Sequence, residues 1–325
     1  MALLRDLGLT LGKWAGRPGL TLQKDSGDPE VPRVREAAEA ADWPTVRAIL
    51  EARPESEDRT ELLWAVADAA GVERWIDPVI EAEPDAPLPR LVAGIRHITW
   101  GWEARTDARA KDVSREQFDV FHARLRIAES RLYEAAEREP GWTSPWYGLQ
   151  VTGRGLQVTK DTARRRFEAT LRRAPLHLGA HQQQLQHLCA KWNGSHEEMH
   201  AFARASTFGA PGGNLLGQLV AYAHIEHWLD LDRGEDAAYI SGPQVAASLN
   251  EAADHTYRHP DFQRNRGWLP LVNTFAMAFS LAGDRAGARE CFRAAEGRVT
   301  EAPWYYLNGD DPTEAYRKMR SLAGR

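Results

Sequence analysis

The sequence predicts an all-α chain of antiparallel helix hairpins stacked as a solenoid, with no significant β-sheet. Three observations carry that expectation. First, one small pattern recurs. Ala128, Leu132, Ala135, Ala136 and Pro140 are followed 35 residues later, at identical offsets, by Ala163, Phe167, Thr170, Leu171 and Pro175. Ala288, Phe292 and Ala295 form a third copy behind Gly283-Asp284. A fixed period in the thirties marks a helix-pair repeat, whose core grows lengthwise as neighbours stack. Second, segments with helical spacing alternate with short breaks at Gly and Pro. Third, no stretch sustains a period-two alternation in β-branched residues, so no convincing strand is seen.

Each element follows from local signals. Residues 1–29 read as an N-terminal arm, and residues 30–325 as one repeat domain. Helices are expected over 33–41 and 44–53, with Pro44 in a first turn, where its missing N–H costs nothing. A second pair is expected over 57–69 and 72–83. A Pro-rich break at 84–89 precedes a longer pair over 90–105 and 114–139, the latter opened by a Ser114/Gln117 capping box. Helices over 145–158, 162–173, 176–192, 195–208 and 214–231 follow. A loop through Gly234 and Ser241-Gly242 leads to 243–258. The last helices cover 268–282, 284–296 and 311–322, the final one with Asp311 as cap and Pro312 as opener. Small alanines let paired helices approach, and the Phe or Leu one turn on fills the gap.

Composition narrows the function classes. The net charge of −5 argues against a general nucleic-acid binder. The cluster Arg164-Arg165-Arg166 with Arg172-Arg173 reads as a solvated helix face. No apolar run approaches bilayer-spanning length, and the charges in Met1 to Asp6 do not suit an export signal. Two distant cysteines, Cys189 and Cys291, form neither a disulfide framework nor a metal knuckle, so a cytoplasmic location is expected.

Trp146-x-x-Leu149, Ala163-x-x-x-Phe167 and Pro175 resemble the tetratricopeptide repeat, with one residue more than its usual spacing. Lys191-Trp192-Asn193-Gly194-Ser195, followed by Glu198, Met199, Phe202, Ala203 and Arg204, is similar to a bacterial tetratricopeptide-like family with a Lys/Arg-Trp-Gly-Gly-Ser motif. Asn193 replaces the usual glycine and tolerates the same left-handed backbone. That second resemblance covers about residues 90–300 and implies a fold with no established activity.

Chemistry-bearing motifs are few. His196-Glu197-Glu198-Met199-His200 fits H-E-x-x-H, in which two histidines hold zinc and the glutamate activates water. Glu226, with Asp230 behind it, supplies a third ligand on that reading, and Glu197 is its general base. Against it, Ser195 is the N-cap and Glu198 its partner, so His196 opens the helix rather than lying within it. The favoured expectation is therefore no cofactor and no catalytic residue, with zinc as the alternative. Histidines nonetheless pair at helical spacing: 177/181, 196/200, 224/227 and 255/259. Gly8-to-Lys13 is one residue short of a phosphate loop, and Gly209-Ala-Pro-Gly212-Gly213 reads as a helix stop.

The 12 tryptophans are mostly core fillers, with a minority expected on a groove. The binding candidates are Trp100, Trp102, Trp146, Arg154, Lys191 and Trp192, with Arg96 and Arg105 as further charged partners. Trp and Arg are the types enriched where binding energy concentrates. The expected function is a non-catalytic module binding a protein or peptide, with neither nucleic acid nor membrane as partner. The zinc hydrolase and a small-molecule binder are the alternatives.

Overall fold

The computed structural model describes residues 19–23, 28–54, 57–106, 112–192, 194–309 and 311–324. Residues 1–18 and 24–27 of the expected arm, with the Gly8-to-Lys13 stretch, lie outside these, as does Asn193. Sixteen α-helices and one two-stranded sheet make up the described chain, so the fold is all-α and helical-repeat-like. None of the described helices is long and apolar enough to cross a membrane. Contacts group the residues into two compact units, 28–184 and 185–324 with 19–23.

The first unit holds α1 (Glu30–Glu39), α2 (Trp43–Glu51), α3 (Glu57–Ala67), α4 (Val72–Ala82), α5 (Pro87–Arg105), α6 (Arg115–Arg138), α7 (Ser144–Gly155), α8 (Lys160–Leu171) and the start of α9 (Leu178–His187). Local chemistry sets the starts. Asp42 accepts from the Thr45 amide at α2, and Ser114 with Gln117 forms the reciprocal capping box of α6. The recurring alanines are core: Ala128, Leu132, Ala135 and Thr170 have no exposed surface, and Ala163 has almost none. Glycines on the facing helices make room for them. A Cβ at Gly94 of α5 would lie 2.8 Å from Leu132 Cγ, and one at Gly148 of α7 would lie 3.0 Å from Leu132 Cδ1. Leu132 therefore sits between two backbones at a spacing that only a missing side chain permits. The start of α9 is capped from far away in sequence, since Glu57 of α3 accepts from the amides of Leu178 (3.1 Å) and Gly179 (2.8 Å). A carboxylate there meets the positive end of the helix dipole.

The second unit holds α10 (His196–Phe208), α11 (Gln218–Asp230), α12 (Glu235–Ile240), α13 (Pro243–His255), α14 (Trp268–Ala282), α15 (Arg285–Ala295) and α16 (Pro312–Gly324). Apolar on nearly every side, α14 is the buried centre, with Phe275, Phe279 and Met277 without exposed surface. Against it packs α15, whose Ala288, Phe292 and Ala295 are buried as the repeat pattern requires. Asp284 caps α15 through the Ala286 and Gly287 amides, and Asp311 caps α16 through Glu314.

Several expectations need correction. Two short strands exist, β1 (Thr21–Gln23) and β2 (Arg298–Thr300), paired in parallel with Leu22 opposite Val299. Three residues are too few to show alternation in sequence. The helix expected over 176–192 ends at His187, and Ala190–Trp192 forms a separate 3-10 turn as the Trp192 and Gly194 amides both fold back on the Cys189 carbonyl. Leu215–Gly217 is likewise a 3-10 turn, held by the Asn214 side chain, before α11 begins. The loop expected between Gly234 and Gly242 contains α12. The arginine cluster is not wholly solvated either. Arg164 and Arg165 are exposed, but Arg166 is buried, bonding the Leu149 carbonyl (2.6 Å) and the Glu129 carboxylate (2.5 Å).

Candidate functional site

The histidines of the second unit gather where α10, α11, α12 and α13 meet. Ser195, in extended backbone, caps α10 by accepting from the Glu198 amide, which sets His196 first in the helix and His200 one turn on. His224, His227 and Asp230 follow one another along one side of α11, and Tyr239 and Ser248 project from α12 and α13. The side chains form a continuous chain of contacts. Ser248 Oγ lies 3.1 Å from His224 Nε2, and His224 Nδ1 lies 2.7 Å from the Tyr239 hydroxyl. That hydroxyl is 3.1 Å from His200 Nε2, which is itself 3.1 Å from His227 Nδ1. The His227 ring stacks on His196 with centroids 3.7 Å apart and planes 9° from parallel. His196 Nε2 closes the chain 3.3 Å from Asp230 Oδ2.

Burial and crowding hold His224, His200 and His227 below the ordinary histidine value. Burial first, then the neighbouring His200, His227 and Arg204, pushes His224 down to about 3. His200 is pushed down to about 4 by burial and by His227 and His196, and His227 to about 4 by burial and His196 against the opposing pull of Asp230. Burial raises the Tyr239 phenol above its usual value. One proton arrangement satisfies the buried chain. Tyr239 donates to His224 Nδ1, His224 donates from Nε2 to Ser248, and the His200 Nε2 proton faces the Tyr239 oxygen and His227 Nδ1.

The H-E-x-x-H geometry does not assemble. Glu226, the proposed third ligand, is buried and bound by Lys191 Nζ (2.6 Å), Gln186 Nε2 (2.6 Å) and the Tyr306 hydroxyl (3.2 Å). Glu197 is exposed in the first turn of α10. His200 meets His227 and Tyr239, while His196 turns to Asp230. Among the described residues, no group of three or more His, Cys, Asp and Glu side chains is arranged to hold a metal ion. The donor set does not fit a zinc centre of that kind.

The binding candidates divide by unit. In the first, Trp100 and Trp102 are half-buried at the end of α5 and each has two guanidinium groups near its ring. Arg124 sits 3.7 Å and Arg96 5.9 Å from the Trp100 ring, and Arg154 5.2 Å and Arg105 5.4 Å from the Trp102 ring. Phe121 packs 4.7 Å from Trp102, and Phe118 and His122 are half-buried beside it on α6. Arg96 is a buried brace, bonding Glu73, Glu103 and the Ala67 carbonyl. Trp146 is wedged between Tyr133 and Arg173. In the second unit Lys191 holds Glu226, and half-buried Trp192 ends the 3-10 turn. A Cβ at Gly194 would overlap the Leu188 carbonyl, so glycine is required there by the close return of the chain. Lys191 thus ties the chain after α9 to α11, and Ser195 launches α10.

Tyr239 and Ser248 are the site members that the sequence did not disclose. Comparison with protein-family models, curated proteins and solved structures found no match to this chain.

Proposed function

We propose that this chain is a tetratricopeptide-like, non-catalytic binding protein that captures a protein or peptide partner on the Trp–Arg face of α5 and α6. The observation that carries the reading is the half-buried pair Trp100 and Trp102, each already stacked against arginines. Such rings are rigid, present an apolar body and a cationic rim, and lose little freedom when a partner docks. Phe118 and His122 extend the face along α6. On this reading residues 30–325 act as one repeat domain behind an arm over 1–29. The two cysteines, both buried free thiols, support a cytoplasmic setting.

The test uses the full chain in its native host. In-cell cross-linking should recover a specific partner with the wild type and with His196→Ala, and lose it with Arg105→Glu or Trp102→Ala at unchanged helicity. Identical recovery from all four proteins would refute the assignment of this face. A hydrolytic activity abolished by Glu197→Gln would overturn the non-catalytic reading.

A further inference from the structure

We propose that Tyr239 and the histidines it meets form an acid-released clasp, in which protonation of the ring cluster detaches the short helix α12 from α10 and α11. The cluster is separate from the Trp–Arg face and does not depend on that function.

The first argument is the proton inventory. Between Ser248 and His227 the contacts at 3.1, 2.7, 3.1 and 3.1 Å can all be hydrogen bonds while His224, His200 and His227 carry one proton each. A second proton on His227 places an N–H at Nδ1 facing His200 Nε2 across 3.1 Å, so two donors confront each other unless His200 gives up its Nε2 proton and with it the bond it donates to the Tyr239 oxygen. A second proton on His224 places an N–H at Nδ1 facing the Tyr239 hydroxyl, which must then turn its own proton toward His200. His227 also lies flat against His196, so charging both rings sets two cations face to face at 3.7 Å. Moving the His200 proton to Nδ1 would let its Nε2 accept from both neighbours, but no tautomer or rotation removes the repulsion among the charged rings.

The second argument is the surroundings. From α10 the cluster is faced by His196, His200 and Arg204, and from α11 by His224, His227 and Asp230. From α12 it is faced by Tyr239, with Glu235 and Asp236 in that helix's own first turn, and α13 supplies Ser248, which carries no charge, and the carboxylate of Glu251. Asp230 is the carboxylate that meets a ring, and it meets the outer one, His196. Glu251 is held in a two-point pair with Arg204, and Asp236 accepts from the Gly234 and Ala237 amides. Arg204 adds positive charge near His224. Extra protons on His200 and His224 therefore meet repulsion rather than a counter-ion, and on His227 the push of His196 opposes the pull of Asp230.

The third argument is what the clasp holds. Six residues are too few for α12 to persist without tertiary contacts. It lies between Gly234, at φ 105°, and Gly242. Tyr239 is its polar tie to two histidines, and Ile240 is its buried apolar residue. Once Tyr239 loses His224 and His200, buried Ile240 and the packing of the Tyr239 ring on His227, 3.8 Å away and itself a ring that takes up a proton, are what remain to hold the helix.

Hydrogen exchange on the full chain tests this, with rates corrected for the intrinsic pH dependence of exchange. Protection of the 235–240 amides should fall at least about tenfold between about pH 7.5 and about pH 4.5, while amides of α14 keep theirs. Tyr239→Phe should show the low protection already at about pH 7.5, with little further loss. His200→Gln with His227→Gln, which cannot charge, should blunt the acid response. Unchanged protection of 235–240 in the wild type, or loss in step with α14, would overturn the proposal. So would an acid response in the doubly substituted protein equal to that of the wild type.

Discussion

The contacts of α5, α6 and α7 in the first unit and those of α10 to α13 in the second are both helix junctions, built on opposite principles. Leu132 enters the space left by Gly94 and Gly148, and at that point apolar side chain meets glycine backbone, with the polar contacts such as Arg90 to Glu134 lying elsewhere along the helices. At the other junction His224, His200, His227 and Tyr239 meet through hydrogen bonds. The first kind depends on volume and is indifferent to protons. The second holds together only while donors face acceptors. Helices can be joined either way, but only the polar joint responds to pH.

The largest expected effect breaks the apolar junction. Leu132→Ala should destabilise the protein by about 2–5 kcal/mol, read from urea unfolding, because the two glycine backbones cannot collapse into the gap. Gly148→Leu should fail by the opposite route, overpacking against Ile95 and Leu132, with a loss of about 1–3 kcal/mol. Neither loss should vary between pH 7 and pH 5 beyond the wild type's own trend.

Acid should break the polar junction next. His224, His200 and His227 have folded values of about 3, 4 and 4 against an ordinary 6.5. The unfolded chain binds these protons more readily, so stability is full above about 6.5 and declines as pH falls toward about 4. The urea midpoint should drop over that window, and the drop should shrink in His227→Gln. A midpoint constant from pH 7 to pH 4.5 would show that the rings are not held neutral.

Smaller effects sharpen the comparison. Lys191→Ala leaves the buried Glu226 with Gln186 and Tyr306 and should cost about 1–3 kcal/mol, visible as a lower Tm. Asp284→Ala removes the cap of α15 and should cost about 1 kcal/mol by the same measurement. Arg164→Ala should leave Tm unchanged, since its partners Asp161 and Glu168 sit with it on an exposed helix face.

Much of the fold was legible because it is local and periodic. The Ala-Leu/Phe stripes read as core and are core, and the caps at Ser114, Ser195 and Asp311 sit where the sequence marks them. The histidine pairs were visible as spacing, but their partners were not. Glu226 and His227 are adjacent in sequence and point about 100° apart around α11, so one meets Lys191 and the other His200. Trp100 and Trp102, two residues apart, likewise face different arginines. Tyr239 was hidden because six residues are too few to show a period.

The sequence by itself determined that the chain is helical, where most helices begin and end, and which alanines, leucines and phenylalanines are buried. Those features depend on hydrogen bonds and side-chain spacing within one turn or one hairpin. Tertiary structure alone decided that Glu226 belongs to Lys191, that three histidines converge on a tyrosine from another helix, and that Glu57 caps a helix begun 121 residues later. Such contacts join side chains distant in sequence, and their identity depends on how helices are rotated about their axes as they pack.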